Sequence, residues 1–69
     1  MVTLNEIKQR LAIAIQQSGK TQTEIARQLK IRQQTVSHYV KGDIMPAFDT
    51  FANLCIILDL DANEILGIN

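Results

Sequence analysis

Residues 20–42 read KTQTEIARQLKIRQQTVSHYVKG, and the fold turns on how this stretch is parsed. Thr21 and Glu24 stand in a T-x-x-E pattern, the signature of a reciprocal cap at a helix start. Ile25, Ala26 and Leu29 then give a short helix with one apolar face. Ile31 falls where a tight turn is expected. A second apolar face follows at Val36, Tyr39 and Val40, and Gly42 stops that helix. Between the apolar positions lie Arg32, Gln33, Gln34, Thr35, Ser37, His38 and Lys41, none of them needed for a core.

Two short helices, a turn of a few residues and a polar outer face on the second helix describe a helix-turn-helix. Ala26, Ile31 and Val36 follow one another at five-residue spacing. Helices crossing steeply need a small side chain at the close approach, and one inward apolar group each from the turn and the second helix. Any two adjacent amphipathic helices fit the same short pattern, so spacing alone leaves both readings open. The polar residues are of the types that contact base edges and phosphates.

A chain of 69 residues implies one domain with one small core, and 46% hydrophobic content implies that it folds. A single cysteine, Cys55, excludes an internal disulfide and makes a reducing, cytoplasmic setting the expectation. Its apolar neighbours make it read as a core thiol rather than a reactive one. No signal peptide is read at the start, and the apolar run from Leu54 to Leu58 is too short to span a bilayer. Net charge is zero, yet all seven Lys and Arg residues fall in residues 1–42, leaving that half at +5 and residues 43–69 at −5. Such a split lets one face approach phosphates. It also fits two halves that merely attract each other.

In chain order, helix one is expected from about Leu4 to Gln17, capped by Thr3 and Glu6 and striped by Ile7, Leu11, Ala14 and Ile15. Ser18-Gly19 ends it. Helix two spans about Gln22 to Leu29 and helix three about Gln33 to Val40. Lys30 occupies the turn, where a left-handed backbone costs a side chain ~1 kcal/mol relative to glycine. Pro46 precedes helix four, about Ala47 to Leu58, whose Phe48, Phe51, Ala52, Leu54, Cys55 and Leu58 supply most of the bulk. Asp61 and Glu64 cap a last helix, about Ala62 to Leu66, which Gly67 ends. The expected fold is all-α: a compact five-helix domain over 1–69. Its reading unit is about 21–41 and its C-terminal helices are about 47–58 and 62–66. The Val36, Tyr39 and Val40 side is expected to rest on helices one and four.

Ile56 and Ile57 do not both fit an inward face, and Ile13 and Ile68 raise the same question. Two readings stand: a packed terminal helix with scattered exposed apolar residues, or a self-association patch at the end of helix four and the C-terminal segment.

The residues resemble the phage repressor and Cro-type, or XRE-like, helix-turn-helix family from about Leu4 to Leu66. T-Q-x-E-I-A-x-x-L at 21–29, Q-x-x-V-S at 33–37, Gly42 before Pro46, and the apolar pattern of 48–66 carry the likeness. The resemblance implies a lambda-repressor-like fold with helix three in the major groove and helix two across it. It implies that Gln22 contacts phosphate and supports Gln33. It makes Gln33, Gln34, Ser37 and His38 base-reading, with Arg32, Thr35 and Lys41 at phosphates. His38 also reads as solvent-facing filler. Three positions depart from the pattern. Lys30 replaces a common glycine, and Arg32 replaces a Ser or Thr cap worth ~1 kcal/mol. Ile15 and Val40 stand where many relatives pair an Arg with a Glu, so one ion pair gives way to one apolar contact.

The expected activity is sequence-specific binding of double-stranded DNA by a homodimer that regulates transcription, as a repressor on a pseudo-palindromic operator. Ile56, Ile57 and Ile68 would form the interface. The alternative is a protein-binding adaptor or antitoxin-type component on the same fold. An enzyme is disfavoured, because the only histidine, His38, has no carboxylate pair, glycine-rich phosphate loop or Cys/His cluster beside it. No metal, cofactor, small-molecule ligand or membrane partner is implied.

Overall fold

The computed structural model describes residues 1–68. Five α-helices follow in order: α1 Leu4–Gln17, α2 Gln22–Leu29, α3 Gln33–Lys41, α4 Phe48–Leu58 and α5 Ala62–Leu66. The all-α, five-helix expectation holds, with α2 and α3 packed closely as the helix-turn-helix. Two boundaries move by one residue: α3 runs on to Lys41, and Ala47 is the residue before α4 rather than its first.

Each start is set by local chemistry. The Glu6 N–H donates to Thr3 Oγ1 at 3.2 Å and the Glu24 N–H to Thr21 Oγ1 at 3.1 Å. The reciprocal half of these caps is absent among the described residues. Glu6 instead accepts from the Thr3 hydroxyl and pairs with Arg10, and Glu24 turns to Arg27 and Gln28. Basic partners one turn along the helix outcompete a backbone N–H for the carboxylates. Asp61 accepts from both the Asn63 and Glu64 N–H groups.

The stops are left-handed residues. Gly42 and Gly67 take φ +76° and +74° at no side-chain cost. Lys30 takes φ +58° as the spacing predicts, and Asp59 takes φ +55° after α4. Aspartate tolerates that region better than most side chains.

Leu11, Ile15, Ile25, Val36 and Leu54 are fully buried at the centre, surrounded by Ala26, Tyr39, Phe51, Leu58 and Ile65. Ile15 is in this core and Val40 packs at its edge, so both positions are filled by apolar side chains and neither leaves an unpaired charge. As expected, α3 rests on α1, and its other principal neighbour is α2 rather than α4, which itself packs chiefly on α2, with α5 on α1.

Helix α4 also differs. Phe51, Leu54 and Leu58 point inward, but Phe48 is 92% exposed and Ala52 lies on the outside. With Phe51, Leu54 and Leu58 setting the inward arc, Ala52 and Ile56 are carried to the opposite side. Phe48, on the first helical residue, lies beyond the core's edge. Of the awkward pair, Ile56 is 75% exposed, and Ile57 is half-buried against the core. Phe48, Ala52 and Ile56 therefore form an exposed apolar stripe at four-residue intervals.

Arg10 links the chain's ends. Its Nε donates to the Ile65 carbonyl at 2.7 Å, closing the last turn of α5 against α1.

Candidate nucleic-acid interface

Helix α3 presents a continuous polar face. Arg32, Gln33, Gln34, His38 and Lys41 are exposed, whereas Thr35 and Ser37 are half-buried along its margins. Val36 and Tyr39 on the other side are buried, which fixes the rotation of the helix about its axis. Burial, with Asp49 nearby, pushes the Tyr39 hydroxyl's pKa upward, so the group stays protonated in the core.

The start of α3 differs electrostatically from those of the other helices. Arg32 supplies no side-chain cap and no acidic residue occupies the first turn. The first turns of α1, α2, α4 and α5 carry Glu6, Glu24, Asp49 and Glu64. The Thr35 and Val36 N–H groups donate back to the Arg32 carbonyl. The Gln33 and Gln34 amides point out of the helix start, where a helix dipole favours an anion.

The cations sort in the same way. Arg27 pairs with Glu24 at 3.1 Å, Arg10 lies 3.7 Å from Glu6, and Lys8 reaches the Asp43 carbonyl at 3.5 Å. Among the described residues Lys8 has no ion-pair partner, and neither have Lys20, Lys30, Arg32 and Lys41. The last four border α2 and α3. The positive charge left for a ligand is thus concentrated around the reading unit.

Gln22 is half-buried at the first position of α2, but its side chain makes no hydrogen bond to Gln33 among the described residues. His38 Nδ1 lies 3.3 Å from Asp43 Oδ2. Sequence reasoning missed Asp43. The signal was available, because a glycine stop brings the residue after it back over the helix residue five positions earlier.

The proposed interface residues separate. Ile56 and Ile68 are exposed and Ile57 is half-buried, while Phe48 and Ala52 join Ile56 on α4. Cys55 is half-buried, and burial with Asp61 nearby raises its thiol pKa, in keeping with a quiet thiol. A recess of about 490 Å³ lies between α1 and the α4–α5 connection, lined by Arg10, Ile13, Leu58, Leu60, Asp61 and Glu64 among others. It contains no residue of α2 or α3. No group of three or more His, Cys, Asp or Glu side chains among the described residues could hold a metal, and no helix is long and apolar enough to cross a membrane.

Comparison with known families finds a match to the helix-turn-helix family over residues 11–65. No curated protein and no solved structure gives a match. The chain belongs to the helix-turn-helix family.

Proposed function

We propose that this member of the helix-turn-helix family is a stand-alone regulator of the phage repressor and Cro-type, XRE-like kind, reading double-stranded DNA in the cytoplasm. The family and the fold support DNA binding and transcriptional regulation in general. One observation carries the finer reading. The exposed face of α3 combines amide side chains, an uncapped helix start and unpaired cations on both flanks.

In this reading 1–69 is one domain and α3 enters the major groove. Gln33 and Gln34 bond in bidentate fashion to adenine N6 and N7, at ~1–3 kcal/mol of discrimination per good pair. Ser37 and His38 complete the base-facing row. Arg32, Lys41, Thr35 and Gln22 contact phosphates, as do the open amides of α3, and so set the register. Two copies related by a two-fold axis read half-sites ~34 Å apart in a pseudo-palindrome. Repression follows from occupying a promoter.

The dimer contact is placed on the α4 stripe, with Phe48 and Ala52 beside Ile56 and with Ile68 contributing, rather than on Ile57. The same stripe favours a second reading, an adaptor or antitoxin-type component that uses α4 against another protein. Selection of bound duplexes from a random pool, followed by footprinting, tests the proposal. One enriched pseudo-palindrome, lost on changing Gln33 and Gln34 to Ala, supports it. Failure to enrich any sequence at low salt sinks specific binding and favours the adaptor.

A further inference from the structure

The end of α3 holds an ionisable pair where a helix stop ordinarily holds an apolar contact. The Asp43 N–H donates to the His38 carbonyl at 3.0 Å and the Gly42 N–H to the Tyr39 carbonyl at 3.1 Å. With Gly42 at φ +76°, this is the Schellman arrangement, which lays the residue after the glycine over the residue five positions before it. That overlap usually joins two hydrophobic side chains. Here it joins His38 Nδ1 to Asp43 Oδ2 at 3.3 Å, with both side chains about half exposed.

We infer that Asp43 is a positioning residue that fixes the tautomer of His38 and thereby decides what α3 offers at that point of the groove. The inference rests on the DNA-binding reading above. An ionised carboxylate only accepts hydrogen bonds, so it requires the proton on Nδ1. In the neutral ring Nε2 is then a bare acceptor, suited to the amino donors of cytosine N4 or adenine N6. Protonating the ring keeps the Nδ1–H bond to Asp43 and turns Nε2 into a donor, suited to guanine O6 and N7 or to thymine O4. A histidine without this partner is free to hold its neutral proton on Nε2 and remain a donor at both pH extremes. Asp43 therefore converts His38 into a reader whose hydrogen-bonding sense reverses when the ring is protonated.

The surroundings leave that exchange to the pair. Lys41 stands one turn on in α3, and Lys8 from α1 meets the Asp43 backbone carbonyl rather than its carboxylate. Among the described residues Asp43 is the only acidic side chain within ion-pair distance of the imidazole.

His38 is the only histidine, so its ring nitrogens can be observed without assignment ambiguity. Ring ¹⁵N NMR of the free protein at pH 8.5 is expected to show the Nδ1–H tautomer dominant. Asp43→Leu, which restores the usual apolar overlap, is expected to return the Nε2–H tautomer with the fold intact by circular dichroism. An Nε2–H tautomer in the parent protein, or the same tautomer in both proteins, overturns the inference whether or not DNA is bound. Duplex selection at pH 5.5 and 8.5 supplies the second arm. At one base position the preference is expected to move from guanine or thymine toward cytosine by about threefold to tenfold, the worth of one hydrogen bond. Asp43→Leu should abolish that movement and keep the remaining motif, whereas His38→Ala should abolish it and weaken binding. A specific motif that does not change with pH overturns the reading role. Loss of all sequence preference at both pH values instead counts against the function proposed above, and the tautomer result then decides the role of Asp43 by itself.

Discussion

Arg10 Nε and the Ile65 carbonyl, 55 residues apart, are joined by a 2.7 Å hydrogen bond that fastens the last turn of α5 to α1. A guanidinium donating to a helix-terminal carbonyl also meets the negative end of the helix dipole. Its Nη2 is buried beside Gly67 with no partner among the described residues, and a Cβ added at Gly67 would lie 2.8 Å away. Arg10→Ala is expected to cost about 1.5–3 kcal/mol in urea unfolding, the range for a charge-assisted bond. Arg10→Lys should recover little, because a single ammonium does not reproduce the fork. A Lys variant as stable as the parent would assign the contact to charge alone.

Base-reading and phosphate-contacting roles make different predictions. Gln33→Ala or Gln34→Ala is expected to lose about 1–3 kcal/mol on the selected duplex while leaving affinity for random duplex nearly unchanged. Lys41→Ala should weaken both duplexes alike and lower the salt slope by about one. Fluorescence anisotropy across a salt series distinguishes the two behaviours. Equal losses on both duplexes from the glutamine changes would remove them from the reading row.

The stripe on α4 predicts a contrast with Ile57. Phe48→Lys and Ile56→Lys should shift sedimentation toward monomer and change unfolding stability by no more than about 0.5 kcal/mol, since both side chains are exposed. Ile57→Ala should cost roughly 1–2 kcal/mol of stability and leave association alone, since it packs at the core's edge. If the parent protein stays monomeric at every concentration, the α4 contact is wrong.

Tyr39 is the only tyrosine, so tyrosinate absorbance reports it directly. Burial, then the Asp49 charge, raises its pKa, and the folded protein should titrate above the free value of about 10. The sign follows from linkage. A group whose pKa is raised on folding withdraws stability as pH climbs from the unfolded value through the folded one. Stability should therefore fall above about pH 10, with part of that fall absent in Tyr39→Phe. A midpoint identical in folded and urea-unfolded protein would contradict the burial argument.

The helices were legible because their ends are written in local chemistry: Thr3, Thr21 and Asp61 start them, and Gly42 and Gly67 stop them. Lys30 was legible for the same reason, since a turn that short demands a left-handed residue whatever occupies it. The orientation of α4 was not. Its sequence FDTFANLCIIL is apolar at most positions, so periodicity cannot choose which arc turns inward. Only the shape of the surrounding core sends Phe48 and Ala52 outward. Long-range partners were equally hidden, because nothing local to Arg10 points to the Ile65 carbonyl. At the candidate interface the exposed amides of α3 were readable from spacing. The Asp43 partner of His38 lay one residue beyond the helix stop, where a face-by-face reading ends.

The charge distribution acts on the approach to DNA as well as on the bound state. Residues 43–69 bear acids and no base, while four of the five Lys and Arg side chains without an ion-pair partner among the described residues lie at residues 20–41 of a chain with zero net charge. A neutral body with separated poles feels little net pull in the field of a polyanion, but it does feel a torque. The duplex would therefore turn the molecule more than attract it, presenting α3 first and swinging α4 and α5 away. Productive collisions then become a larger share of all collisions without the indiscriminate sticking that a uniformly cationic protein suffers.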